Sequence, residues 1–247
     1  MLIEQASYAS RWRHVSPAAK SLLALGGLSA AFAATTATGS LVVAALLIAI
    51  TCFLARVPVG LYLRVATPAL FFLALSSFPL AISFTSDATT GALARVIAPD
   101  ATSQLARVGS RSLAALAALL LLVLTTPLPD LIALLRRLKT PELLLDLMVL
   151  CYRMLFVFSA TVHDTLTAQS ARLGYATPRL ALRSLGSLSG NLAVQVWLRA
   201  RSLHMAALAR NNDGPLRFLA PDFAHTKRDL ALALSAAGAL IMVGRLV

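Results

Sequence analysis

The sequence predicts an all-α, polytopic integral membrane protein, with about five transmembrane helices and two or more long cytoplasmic helices inserted before the last span. Of its 247 residues, 58% are hydrophobic and only 13% are charged, and the mean hydropathy is +0.79. Soluble domains have roughly 45 to 50% apolar and about 25% charged residues. The apolar residues also fall into runs long enough to cross a bilayer. A soluble globular domain is therefore excluded.

Four apolar runs predict an N-terminal membrane part over residues 1–128. About 20 helical residues cross the roughly 30 Å of hydrocarbon in a bilayer. The first run lacks the small-residue cleavage pattern of a signal peptide, so we expect it to remain as a span. A short fifth run, 230–244, can complete a crossing if Arg245 reaches the interface, which makes 229–247 a C-terminal span. The four N-terminal spans are predicted at 20–37, 40–55, 65–84 and 112–128.

The distribution of basic residues predicts a cytoplasmic N-terminus. Arginine and lysine are enriched in short cytoplasmic loops. Basic residues precede the first run, Arg56 and Arg64 separate the second from the third, and a further cluster follows the fourth. The loop 85–111 then lies outside, although it contains three arginines. The cluster after the fourth run consists of Arg136, Arg137 and Lys139.

The middle of the chain, 129–228, is predicted to be a basic cytoplasmic or interfacial segment. Residues 136–228 hold 13 of the 22 basic and 5 of the 10 acidic residues, which is +8 of the +12 net charge. Within this segment 143–162 is strongly apolar, but Asp146 and Arg153 would each cost about 2.5 to 3.5 kcal/mol near a bilayer centre. Some ten apolar neighbours offset that cost, so the sequence leaves open whether 143–162 enters the bilayer.

Apolar periodicity in this segment predicts two long helices that each end directly after an arginine. The first begins near Pro141 and Glu142 and runs to about Arg172, with Gly174 as its left-handed cap and Pro178 at the following turn. The second begins near Arg179 and ends at Arg210, before the turn-forming residues 211–215.

The two helix ends share a local pattern of small residues, then Ala-Arg, then a stop. These are Ala171-Arg172 and Ala209-Arg210. One such arginine alone is explained by its favourable interaction with the dipole of its own helix. The repetition favours a second interpretation, in which each guanidinium docks onto carboxylates or helix-end carbonyls of another protein.

Early in the second helix, Gly186 and Gly190 have the Gly-x-x-x-Gly spacing that lets two helix backbones cross closely. We predict that this crossing braces the two long helices. The alternative is a chance spacing in a chain with 12 glycines.

With these motifs in place, the chain resembles the T component of energy-coupling factor (ECF) transporters, the CbiQ/EcfT family, over nearly its whole length. The paired Ala-Arg-Gly-type signatures are matched by Ala171-Arg172, with Leu173 before Gly174, and by Ala209-Arg210, with Asn211 in the glycine position. Three segments are similar to the cobalt-type branch: Ile3 to Lys20, Tyr152-Arg153, and Ala168 to Tyr175.

The resemblance implies a scaffold in the cytoplasmic (inner) membrane of a prokaryote, working with two cytoplasmic ATP-binding subunits and a substrate-binding membrane subunit, the S component. The cargo would be cobalt, with a CbiM-like S component, or alternatively nickel or a vitamin. Arg172 and Arg210 would be the tips that dock on the ATPases. Asp146 and Arg153 would either bond to a neighbouring helix or contact the S component.

No catalytic, cofactor-binding or metal site is expected in the chain itself. It lacks the Gly-x-x-x-x-Gly-Lys-Ser/Thr motif of a P-loop, and its four histidines are scattered without ligand spacing. A competing hypothesis is a membrane enzyme acting on lipids, based on His163-Asp164 beside the basic interfacial stretch. A nucleic-acid partner is not expected, because the basic residues lack interleaved aromatic residues.

Overall fold

The computed structural model describes residues 2–81, 84–86, 93–95, 101–211 and 226–246. The all-α class is confirmed, and the short antiparallel pair β1 (Phe84–Ser86) and β2 (Leu93–Arg95) is a small addition within the predicted outer loop. A 3-10 turn follows α1 and a π-helical turn, Ile50–Leu54, extends α3. The helices are α1 (Leu2–Ala9), α2 (Pro17–Ala33), α3 (Ala37–Ala49), α4 (Val59–Ala81), α5 (Ala101–Thr125), α6 (Leu128–Arg137), α7 (Glu142–Ala171), α8 (Pro178–Ala209) and α9 (Thr226–Leu246).

Each predicted span overlaps a helix over most of its length, although the predicted bounds differ from those of the helices. Five helical stretches among the described residues are long and apolar enough to cross a membrane, and α2, with 17 residues, is a shorter apolar helix. The undecided run 143–162 lies within α7, which is one of the five. The five stretches are Ala37–Leu54, Val59–Ser77, Ser103–Thr125, Glu142–Ala171 and Thr226–Leu246.

The fourth span is predicted to start at residue 112, whereas the helix that contains most of it, α5, already begins at Ala101, inside the predicted outer loop. The segment 101–111 is polar, but alanine, leucine, glutamine and arginine are good helix formers. Two of its polar side chains are satisfied inside the protein. Ser110 Oγ bonds to Ser40 Oγ at 2.6 Å, and Arg111 Nη2 donates to the carbonyl of Ala34, after the end of α2, at 2.9 Å.

The chain divides into two compact units. The first, which we call the bundle, comprises Met1–Leu131 and Pro221–Val247. The second, which we call the arm, comprises Ile132–Ala220 and lies inside the predicted segment 129–228.

Small residues let the helices of the bundle pack closely. Gly26 on α2 faces Ala237 on α9 without room for a Cβ atom, and a Cβ at Gly244 would lie 3.2 Å from the carbonyl oxygen of Ala30. Such contacts bring helix backbones together. In lipid the hydrophobic effect does not drive helices to associate, so close van der Waals packing of this kind holds them together. The core between α2, α3, α5 and α9 includes Ala30, Ala31, Val43, Ala44, Leu47, Ala114, Ala118 and Leu121.

Candidate functional site: the arginine ends of the arm

The first predicted tip is the C-terminus of α7, which ends in a Schellman motif. Ala171 is the last helical residue, Arg172 is the C-cap, and Leu173 has the left-handed conformation with φ 55°. The Gly174 amide donates to the Gln169 carbonyl at 2.9 Å, and the Leu173 amide donates to the Ser170 carbonyl at 3.0 Å. These two bonds satisfy carbonyls that would otherwise have no partner.

The prediction that Gly174 is the left-handed cap is wrong, since Leu173 takes that role one residue earlier. Glycine is required at 174 for a different reason. A Cβ atom there would lie 2.7 Å from Ser184 Oγ and 2.9 Å from the carbonyl oxygen of Gln169. The turn therefore brings the start of α8 too close for any side chain at this position.

A hydrogen-bonded network, which we call the elbow, joins α7 to α8 through Gln169, Gly174, Tyr175, Ser184 and Ser187. Gln169 Nε2 donates to the Ser184 carbonyl and to Ser187 Oγ, both at 3.1 Å. Tyr175 Oη donates to Gln169 Oε1 at 2.6 Å, and Ser184 Oγ donates to the Gly174 carbonyl at 2.9 Å. Because one amide side chain ties three partners together, the turn between the helices has a defined geometry.

The start of α8 is also fixed by its local sequence. Pro178 is its first helical residue, where a missing amide proton costs nothing and the ring favours helical φ. Thr177 is the N-cap, and its Oγ1 accepts from the Leu180 amide at 3.3 Å. The second helix thus begins one residue before the predicted Arg179.

The second predicted tip, at the end of α8, repeats the cap geometry of the first. Arg210 is the C-cap with φ −97° and ψ 12°, close to −95° and 16° at Arg172. Asn211 is left-handed with φ 51°, as expected for the residue in the glycine position, and its amide donates to the Leu208 carbonyl at 2.9 Å. The predicted stop residues 212–215 lie outside the described residues.

Both arginine side chains are exposed, as are Ala171 and Ala209 beside them. Within the described part of the chain, neither guanidinium has a hydrogen bond or an ion pair. A guanidinium carries five donors in a planar fork that suits carboxylates and carbonyl oxygens. Each helix end therefore presents a cation that is free to bind a group on another chain.

The predicted brace at Gly186 and Gly190 is wrong for this chain. A Cβ atom at either position would meet no described atom within 4 Å. The two long helices are joined at the elbow instead, by side-chain hydrogen bonds and not by close contact between their backbones.

The remaining predicted residues lie along α7. Asp146 is half-buried and takes part in a polar interaction, whereas Arg153 is exposed. His163 and Asp164 are both exposed, and their side chains make no hydrogen bond to a described residue. The two side chains therefore do not form a hydrogen-bonded acid–base pair with each other or with another described residue. Among the residues searched, no three His, Cys, Asp or Glu side chains come together as metal ligands.

Comparison with known proteins adds independent information. The family model described as CbiQ, cobalt transport protein, matches residues 9–218, a range that includes most of the bundle and both arginine signatures. The chain belongs to the CbiQ family of cobalt transport proteins. As a family member with five helices able to span a membrane, it is a multi-pass membrane protein.

Three relatives bear on the assignment to the CbiQ family. The chain is 33% identical over 245 residues to the cobalt transport protein CbiQ of Rhodobacter capsulatus, covering 99% of this chain and 98% of the relative. It is 30% identical over 209 residues to CbiQ of Salmonella typhimurium, covering 81% and 92%. A 105-residue match at 33% identity, 42% of this chain and 18% of the relative, is to a protein described as a fused cobalt transport protein CbiMQ of Methanocorpusculum labreanum.

Proposed function

We propose that this CbiQ-family chain is the T component of an ECF-type ABC transporter. It is a non-catalytic scaffold that transmits ATP hydrolysis by two cytoplasmic ATPases to a substrate-binding membrane subunit, which takes up cobalt. The observation that carries this proposal is the pair of exposed arginines, Arg172 and Arg210, at helix ends with the same cap geometry.

The chemistry of the two ends suits docking on another protein. Ala171 and Ala209 keep each end narrow, so it can enter a groove. Inside that groove the guanidinium replaces water with charge-assisted hydrogen bonds, worth about 1.5 to 3 kcal/mol each. Since the chain has no P-loop motif, the energy must come from the partner that provides the groove.

The elbow explains how movement of a docked ATPase would reach both helices. With Gln169 tied to Ser184 and Ser187, a displacement at Arg172 moves the start of α8 as well as the end of α7. In our proposal the two helices shift as one body and reorient the substrate-binding subunit against the membrane. Asp146 and Arg153 are our candidates for contact with that subunit.

The identity of the cargo and of the membrane partner rests on the relatives. Both full-length relatives are named as cobalt transport proteins. The name of the fused relative joins CbiM to CbiQ, which supports a CbiM-like substrate subunit for this chain. Nickel and vitamins gain no support from any of them.

The charges around α7 favour a cytoplasmic arm. Three basic residues precede α7, and Arg172, Arg179 and Arg183 follow its end. Because basic residues are retained on the cytoplasmic side, both ends of α7 stay there, and α7 lies along the interface although its length would permit a crossing. The N-terminus is then cytoplasmic, in the inner membrane of a prokaryote.

The test is cobalt uptake by cells that express the chain with its ATPases and a CbiM-like subunit. We expect Arg172→Ala/Arg210→Ala to abolish ATP-dependent uptake of radioactive cobalt and to reduce co-purification of the ATPases. Arg179→Ala/Arg201→Ala removes two arginines of α8 that are also exposed but are not at a helix C-terminus, and should leave uptake unchanged. Wild-type uptake by the first double variant would refute the proposal. Turnover of phospholipid by the purified chain, lost in His163→Ala/Asp164→Ala, would support the enzyme hypothesis instead.

A further inference from the structure

A buried lysine lies at the N-terminal end of α2. Lys20 is 1% exposed, and its Nζ donates to the carbonyl oxygen of Thr125, the last residue of α5, at 3.1 Å. A lysine this close to the end of an apolar helix would ordinarily extend its ammonium group to the membrane surface. Keeping it buried is costly, and burial of that kind marks a functional position in membrane proteins.

Two carboxylates from distant parts of the chain favour the charge of Lys20. Asp130, at the start of α6, is 8% exposed, and Asp229 is in the first turn of α9. Both interact electrostatically with Lys20, as does Arg13. Burial raises the pKa of the Asp130 carboxyl, whereas the charges of Lys20 and Arg13 oppose that rise. The negative end of α5 adds to the balance, since helix C-termini favour cations.

One turn before Lys20, the same helix end makes a second long-range contact. The backbone amide of Ser16 donates to Asp229 Oδ2 at 3.2 Å. The Ser16 hydroxyl is itself buried and has no hydrogen-bond partner in the part of the chain that the structure describes. The contact with α9 therefore depends on the Ser16 backbone and not on its side chain.

The chain passes from the bundle to the arm and later returns, and these contacts lie close in sequence to both of those points. Thr125 and Asp130 lie just before Ile132, where the arm begins, and Asp229 lies soon after Ala220, where it ends. One end of one bundle helix thus holds the segment that leads out of the bundle and the segment that returns to it. The sequence separations, 105 residues for Lys20 to Thr125 and 213 for Ser16 to Asp229, show that local folding does not produce this arrangement.

We propose that Lys20 is a positioning residue for coupling: its buried ammonium group, bonded to the Thr125 carbonyl, fixes the bundle segment that leads into the arm, at the same end of α2 where the Ser16 amide holds the segment that returns. Displacement of the arm then moves α2 and the bundle as well, instead of only bending the segments that connect the arm to the bundle. This inference rests on the proposed coupling function and adds to it the residue through which the bundle responds.

The test compares uptake with ATP hydrolysis in the complete complex reconstituted in liposomes. Lys20→Met keeps an unbranched side chain, one atom shorter, and removes the charge. We expect the complex to assemble and to hydrolyse ATP, while cobalt taken up per ATP falls about 2- to 30-fold, the range that typical coupling energies correspond to. Ser16→Ala is the matched control, because it removes a hydroxyl without a partner and keeps the backbone donor, so both rates should stay at wild-type values.

A second variant separates coupling from stability. Lys20→Met leaves the buried Asp130 carboxylate without its cation, which can lower the yield of folded chain. Lys20→Met/Asp130→Asn also removes that carboxylate and should restore the yield. Continued loss of uptake per ATP in that double variant supports the inference, and recovery of wild-type coupling overturns it. An unchanged uptake-to-hydrolysis ratio in Lys20→Met also overturns it. A wild-type complex without ATP-driven uptake would instead refute the proposed function, and this inference with it.

Discussion

The bundle and the arm are both rich in apolar residues, but they differ in how many of those residues are buried. Bundle helices bury alanine, glycine and leucine against each other, whereas the only buried residues of α7 and α8 are Leu145 and Leu188. Leu143, Leu182 and Trp197 are each at least 74% exposed. The bundle thus has a core formed by its own helices, while α7 and α8 bury almost nothing against each other and leave apolar faces and cationic ends for lipid or other chains to cover.

The largest expected effect comes from breaking the close packing of the bundle. Gly26→Leu would force a side chain against Ala237 and separate α2 from α9, at a cost of about 3 kcal/mol or more. We expect a large loss of folded chain in detergent, measured by size-exclusion chromatography and thermal unfolding. Gly238→Leu is the control, since a Cβ at Gly238 meets no described atom within 4 Å. Equal behaviour of the two variants would contradict the account of the bundle.

A smaller effect is expected in the arm, where two glycines should respond with opposite signs. Gly174→Ala places a methyl group against Ser184 Oγ and the Gln169 carbonyl, and should destabilise the elbow by about 1 to 3 kcal/mol. Gly190→Ala meets open space and should stabilise α8 by up to about 1 kcal/mol. Trypsin cleavage of the purified chain at Arg172 and Arg179 would be faster in the first variant only. Unchanged cleavage in Gly174→Ala would show that the elbow does not limit opening.

The smallest effect concerns the helix ends themselves. Leu173 is 72% exposed and left-handed, a conformation that costs a non-glycine residue roughly 1 kcal/mol, so Leu173→Gly should slightly stabilise the end of α7. Leu182→Gly, at a similarly exposed position inside α8, should destabilise by about the same amount. Hydrogen exchange over 165–185 in the isolated chain measures both. Destabilisation by Leu173→Gly would mean that its side chain contributes more than its backbone costs.

The sequence predicts correctly those features that depend on residues close together in the chain. Hydropathy finds the apolar helices, and the Ala-Arg signatures locate the ends of α7 and α8 within a residue. Hydropathy misses the first part of α5, because its polar side chains lower the hydropathy there although the residues form a helix. Gly174 is identified as important for the wrong reason, since its contact with Ser184 depends on a turn that no local pattern describes.

Contacts between distant segments have no signal in the sequence of one chain. Gln169 and Ser184 are 15 residues apart, and the acceptor at Ser184 is a backbone carbonyl, which every residue possesses. The acceptor for Lys20 is likewise a carbonyl, at Thr125. A carbonyl gives no clue to its partner, so the elbow and the buried lysine are visible only once the helices are placed.

The position of α9 has a consequence for how the protein is made. This helix emerges from the ribosome after the other described helices, yet it packs along α2, one of the first. The glycine-lined side of α2 must therefore wait in the membrane, unpartnered, while the entire arm is translated. Chains that terminate before α9 would leave that side of α2 exposed and become targets for membrane quality control.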